Sequence, residues 1–298
     1  MSKNANFRMF QSVVSLTTVG ILLAACTSND GEGSATGGGE GTGPAAELLP
    51  DLYQGGQITV GAISGQAPMM FVDEDDETVV GVEADVLRAA GEILGVEVVF
   101  EETDTASVIP GVLANRFDLA AGSLTYTEER GEQADFVAYA EYGHALATMA
   151  GDEDDYSFDN LCGRTVGVLA GSHQHEQFLP EMSEECVDRG EPEITGSDFP
   201  DANSLYLALE SERADVLFLN EVGVLHRIEE SDGEFAMADS GSGIDNKGIV
   251  INRDTDLGEP LQVAIDQLQE EGSLQEIFDD WGIEDAASEE VVLHAEHS

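Results

Sequence analysis

The chain is almost without lysine. Lys3 and Lys247 are the only two in 298 residues, and 11 Lys plus Arg face 61 Asp plus Glu for a formal charge of −50. A field of that sign repels nucleic acid and anionic membrane surfaces, which excludes both as direct partners. Aromatic residues are also scarce, at 6%, and chains that are acidic and poor in aromatics are often disordered. Here the acids are interleaved with apolar residues at regular periods, so they mark the outer faces of folded elements. Salt relieves self-repulsion on this scale: at about 1 M the Debye length falls to roughly 3 Å. The composition therefore reads as adaptation to brine. No third ligand accompanies the histidines of "HQH". His173 and His175, two apart at a helix start, point nearly opposite ways, so no metal is expected. No cofactor motif and no nucleophile–base pair is visible, which argues against an enzyme. No transmembrane or signalling segment is seen after residue 285, which argues against a membrane-embedded sensor.

What is present begins with a contrast. The first 25 residues carry Lys3 and Arg8, no acids, and the apolar run "VVSLTTVGILLAA". A charged start followed by a short apolar run is a signal-peptide pattern, too short for a stable span. It ends in "LAAC", Leu23 to Cys26, which resembles the lipobox of bacterial lipoproteins; an ordinary signal peptide is the alternative. The resemblance implies lipidation, palmitate included, at Cys26. The following "TSNDGEGSATGGGEGTGP" cannot bury a core and reads as a flexible tether. The expected organisation is a signal peptide over 1–25 and a tether over 26–53. Lobe 1 takes 54–150 with 240–285, lobe 2 takes 151–239, and 286–298 is an acidic tail with His294 and His297 solvated. Cys162 and Cys186 remain as an even pair in an oxidising compartment, either a disulfide or two buried thiols.

From residue 56 strands and helices alternate. "QITVGAI" (57–63) reads as a strand. "GVEADVLRAAGEILG" reads as a helix with Val82, Val86, Ala89 and Ile93 on one face and charges opposite. Strand, helix and strand follow at 96–102, 107–116 and 117–124. A second series starts near 160 and runs through "RTVGVLAG", "EITGS", "DANSLYLALES", "RADVLFLN" and "EVGVLHRI". Strands "EFAMA" and "KGIVIN" and a long amphipathic helix broken near Gly272 close the pattern. Two alternating series predict an α/β chain of two lobes, each a doubly wound parallel sheet, with a cleft between them.

Several ordered stretches resemble the family 3 extracellular solute-binding proteins, the polar amino-acid receptors of ABC importers. "SVIPGVLANRFDL" is similar to the family's "IIPALQSGKFDL", "LTYTEERGEQADFVAY" to "MTITPERKKQVDFS", and "ALESERADVLFLN" to "ALKSGRADAVVTD". With the opening strand and "SLQEIFDDWGIE", the likeness runs in order from position 56 to position 285. The resemblance implies a periplasmic-binding-protein fold that closes on a small ligand about crossings near 149–153 and 237–242 and hands it to a permease. It further implies a monomer outside the cell, held to the membrane only by its lipid. Some proteins of this fold are cyclohexadienyl dehydratases, and Glu221 or His173 would be the cleft acid of that alternative.

In the family, the arginine of the T-x-E-R motif, here Arg130, binds the ligand carboxylate. The chemistry stands by itself, since a guanidinium offers two parallel donors and keeps its charge. A surface ion pair with Glu128, Glu129 or Asp135 is the other reading. Ser123 and Thr125 would add hydroxyls, and Thr125 with Glu128 fits a capping box. Gly171, Ser172 and His173 sit on the loop after a strand. They complete the expected anion site, with Gly171 supplying an unusual backbone angle. The family usually holds the ligand ammonium on an aspartate where this chain has Asn220 followed by Glu221. Either Glu221 reaches in or the ligand is not a simple α-amino acid. Gln66 and Thr105 replace common aromatic walls. The expected ligand is small, polar and carboxylate-bearing, an amino acid or a related zwitterion.

Overall fold

The structure, a computed structural model, describes residue 41 and residues 43–73 and 77–295. The expected signal peptide, Cys26, the start of the tether and His297 lie outside the described residues.

A short helix α1 (Pro44–Leu48) precedes strand β1 (Gln57–Ile63). The small ribbon of β2 (Phe71–Val72) and β3 (Val79–Val80) leads into helix α2 (Val82–Leu94). Next come β4 (Glu97–Thr103), α3 (Thr105–Leu113), β5 (Leu119–Thr125), the single turn α4 (Glu128–Gly131) and the long strand β6 (Asp135–Met149). The second series is β7 (Thr165–Leu169), α5 (Leu179–Asp188), β8 (Thr195–Phe199), α6 (Ala202–Glu210), β9 (Val216–Asn220) and α7 (Glu221–Glu230). The chain returns along β10 (Phe235–Ile251) to α8 (Gly258–Glu271), α9 (Ser273–Asp280) and β11 (Ala287–His294).

The strand order is β4-β1-β5-β10-β6-β9-β7-β8, with β11 on β6. β4, β1 and β5 form one parallel block, and β8, β7 and β9 the other. The antiparallel ribbon of β6 and β10 runs through both blocks, so the two expected sheets share one hydrogen-bonded path. β6 is far longer than an ordinary strand, which lets one extended segment serve both lobes. Phe136 to Ala140 pair with β11, whereas His144 to Ala147 pair with β9. The first crossing therefore falls near residues 141–143, earlier than the expected 149–153. In β10 the register slips between Ser240 and Ile244, where Gly241 and Gly243 take φ of 88° and 72°. A Cβ on Gly143 would stand 2.8 Å from the Gly243 carbonyl, so the ribbon is tightly apposed at its bend.

Each block carries its own apolar core. In the first, α2, α8 and α9 pack Val86, Leu87, Leu261, Ile265 and Phe278 against Val60 and Tyr139. In the second, Leu205, Leu209, Leu217 and Phe235 form one cluster, and Val166, Val168, Phe218 and Cys186 another. Cys162 and Cys186 are joined as a disulfide.

Three expectations change. Residues 44–53, expected in the flexible tether, include α1 and bury Ala45, Leu49 and Tyr53; the Tyr53 hydroxyl donates to Asp118 at 2.7 Å. The acidic tail is a strand as far as His294, because Val291 and its apolar neighbours fill the outer side of β6. His294 is not free in solvent: its ring stacks on Tyr126 at 3.8 Å. The capping box at Thr125 is also displaced. β5 continues through Thr125, and Thr127 caps α4 by accepting from the Arg130 N–H at 3.1 Å.

Candidate ligand-binding site

The carboxyl ends of β5, β7 and β9 meet at the crossing, and each delivers one wall of a small cavity. β5 ends in Ser123 and Thr125, β9 ends in Asn220, and the loop after β7 brings Ser172 and His173. Gln66 and Thr105 close the cavity from the first block, and Arg130 lies against it. All eight of these were named from the sequence, and the fold brings them to one cavity. Gly171 stands at its rim with φ of 77°, as the loop geometry required, and a Cβ there would lie 2.6 Å from the Ala106 Cα across the cleft. Glu221 does not line the cavity. Its Oε2 would be 3.3 Å from a Cβ on Gly143, at the ribbon's bend.

Arg130 is only 8% exposed. Its guanidinium donates to the Thr125 carbonyl at 3.1 Å, and across the cleft to the Gly171 carbonyl and Glu176 Oε2, both at 3.0 Å. It is therefore a cleft arginine with a partner on each side, not one of the surface pairs considered for Glu128, Glu129 or Asp135. Glu176 is more than half exposed and can yield its place to another anion. His173 stacks edge-on against Phe178 at 4.4 Å, and burial pulls its pKa down to about 4, so the ring is neutral at pH 7. His175 has a different task, since its Nδ1 accepts from the Gly171 N–H at 3.1 Å.

Behind the wall lies a polar network that periodicity did not reveal. Gln174 opens a π-helical turn and donates to His144 Nδ1 at 2.8 Å and Asn220 Oδ1 at 2.9 Å. His144 Nε2 in turn meets Asp245 Oδ2 at 2.7 Å. Lys247, fully buried, donates from Nζ to Thr125 Oγ1 at 2.7 Å and faces Asp245 at 3.5 Å. Burial pushes the lysine down to about 8, against the pull of Asp245. Glu83 is also fully buried; its Oε2 accepts from the backbone N–H groups of Gly122 and Ser123. Burial raises its carboxyl to about 7 despite those donors. Lys247 was conspicuous in the sequence as one of two lysines, and that rarity was the only available signal.

A wider chamber continues from the cavity past Gln66 and Asn220. It is bounded by Phe71, Glu102, Tyr206, Arg227 and Glu230 among others. Phe71 touches Trp281 edge-on at 5.7 Å, which links the chamber to the only tryptophan.

Residues 58–284 match the model of the bacterial extracellular solute-binding proteins, family 3. The chain belongs to this family. This family 3 protein is 27% identical to the arginine-binding protein ArgT of Corynebacterium glutamicum over 96% of each chain. It is 23% identical to the arginine-binding extracellular protein ArtP of Bacillus subtilis, over 76% of this chain and 86% of that one. Among solved structures, an ancestral arginine-binding protein bound to arginine superposes with a TM-score of 0.68 at 25% identity, covering 76% of this chain and 97% of its own. A Streptococcus pneumoniae ABC uptake transporter substrate-binding protein with bound histidine shares the fold at a TM-score of 0.70 and 22% identity, over 78% and 95%. The two-lobed binding-protein fold and the extracellular solute-binding class follow from these matches. Among the described residues, no helix is long and apolar enough to cross a membrane.

Proposed function

We propose that the protein is the receptor of an ABC importer, capturing a small carboxylate-bearing solute of the amino-acid class between its lobes. The observation that carries this reading is Arg130, a buried guanidinium at the cavity with hydrogen bonds to both sides of the cleft. A ligand carboxylate replaces Glu176 on the fork of the guanidinium. Thr105 Oγ1, a buried hydroxyl without a partner among the described residues, offers a neutral contact. Ser123, Thr125, Ser172, His173 and Asn220 shape the remaining wall. Relatives whose names specify arginine support an amino acid.

Closure bends the β6–β10 ribbon at Gly143 and Gly241–Gly243, because ligand contacts from both lobes exist only in the closed state. We assign residues 44–140 with 247–294 to the first lobe and 144–240 to the second, the chain crossing at 141–143 on β6 and again along 241–246 of β10. The protein acts as a monomer at the outer face of the cell membrane, held by a lipid on Cys26, and delivers its ligand to a permease without chemical change. A thermal-shift screen of amino acids and osmolytes in high salt tests the reading, since a ligand that binds only the folded state raises the melting temperature. Turnover of prephenate or arogenate by the purified protein would instead establish a dehydratase.

A further inference from the structure

The cavity against Arg130 holds about 20 Å³, room for little more than one water-sized group. It suits the carboxyl end of a ligand, and the rest of the molecule must lie elsewhere. The chamber beyond holds about 410 Å³ and shares Gln66, Ser123, Leu219 and Asn220 with the cavity. That volume is in the range of small-molecule sites. A ligand with its carboxylate on Arg130 therefore extends past Gln66 and Asn220 into the chamber.

Two donors on the chamber wall lack partners. Tyr206, on α6, is only 4% exposed, yet its hydroxyl makes no hydrogen bond among the described residues. Burial raises the pKa of this phenol, so it keeps its proton and remains a donor at pH 7. Arg227, on α7, stacks its guanidinium over the Tyr206 ring at 4.9 Å, and its buried Nε–H is likewise without a partner. In a chain with 61 acids, Arg227 has no ion pair among the described residues. Buried polar groups are normally hydrogen-bonded, and leaving one unpaired is costly. A phenol O–H and a guanidinium N–H both call for an acceptor.

Acids line this chamber too, but they are engaged with other groups. Glu102 and Glu230 are exposed; Glu102 accepts from Ser64 at 2.7 Å and Glu230 faces His226 at 3.5 Å. Asp73 is engaged as well. Exposed carboxylates are weakened by solvent and salt. The Tyr206 hydroxyl and Arg227 Nε are out of water, where a missing partner counts most.

We infer that Tyr206 and Arg227 form a second subsite, which takes an oxygen acceptor at the far end of the ligand. The substrate class is then carboxylates whose distal group is a carbonyl, carboxamide or carboxylate. A guanidinium or ammonium there would leave both donors unpaired and set its charge against that of Arg227. This deepens the carboxylate-receptor reading above and rests on it.

The test is calorimetric titration with length-matched pairs: L-citrulline against L-arginine, L-glutamine against L-ornithine, and L-α-aminoadipate against L-lysine. In every pair that binds, the acceptor-ended member should bind more than about threefold tighter. A smaller ratio, or a reversed one, in any binding pair overturns the inference and leaves the receptor reading intact. If no member of any pair binds, the carboxylate reading falls and takes the inference with it. Tyr206→Phe keeps the ring and should weaken the acceptor-ended member about fivefold, with its partner unchanged. Arg227→Met should narrow the same ratio. An unchanged ratio in both folded variants overturns the subsite. Should either variant fail to fold, the other and the wild-type pairs decide.

Discussion

Arg130 and Gly171, 41 residues apart, meet across the cleft: a guanidinium Nη2 donates to the glycine carbonyl at 3.0 Å. One side chain thus reports on both lobes at once. Arg130→Ala should abolish the ligand-induced thermal shift and leave the unliganded protein folded. The ion pair it loses is with Glu176, a carboxylate more than half exposed, and such pairs add little stability. Arg130→Lys should keep the charge and lose the fork, weakening binding by about tenfold or more. Full retention of the shift in Arg130→Ala would remove Arg130 from the site.

Glu83 makes stability depend on pH. Its carboxyl is raised from 4.5 to about 7, first by burial, so the folded state holds a proton that the unfolded chain has released. Such a group contributes most below pH 4.5, and its contribution is lost as pH rises to about 7. The loss is on the order of 3 kcal/mol. Denaturant titrations of the wild type and Glu83→Gln at several pH values should therefore converge at low pH and separate toward pH 7, with the variant the more stable. Parallel curves would show that Glu83 titrates normally.

The Cys162–Cys186 bond closes a loop of sequence separation 24 within the second lobe. Chain-entropy arguments give such a crosslink about 3 kcal/mol, by restricting the unfolded chain. Cys162→Ser with Cys186→Ser should lower the denaturation midpoint accordingly. A shift of only a few tenths of a kcal/mol would mean that the unfolded chain is already compact there.

With a net charge of −50 the fold works against its own field. Raising sodium chloride from about 0.1 M to about 1 M shortens the Debye length from ~10 Å to ~3 Å, so the melting temperature should climb steadily over that range. Equal melting temperatures at both salts would contradict the brine reading.

Much of this architecture was legible because its periods are local. "QITVGAI" is a strand over the residues read, and the terminal helix breaks at Gly272, which takes φ of 82°. Arg130, Ser172 and Asn220, which the motif resemblance singled out, all line the one cavity at the crossing. β6 escaped notice because its run of buried residues shows neither the alternation of a half-exposed strand nor a helical stripe. α2 was read with its charges outside, yet Glu83 lies at 0% exposure. Its partners are the N–H groups of Gly122 and Ser123 on β5, which no window along α2 contains. Lys247 is similar: Thr125, its partner, is 122 residues distant.

The stretch matched by the family ends at residue 284, just before β11. A chain shortened at that boundary would strip the hydrogen-bonding partner from the outer flank of β6 between Phe136 and Ala140, and uncover the Tyr126 ring beside Arg130. Bare strand edges recruit other chains, so the trimmed protein should self-associate more than the longer one. Replacing His294 with a labelled cysteine would likewise remove the ring that covers Tyr126, so labels are better placed elsewhere.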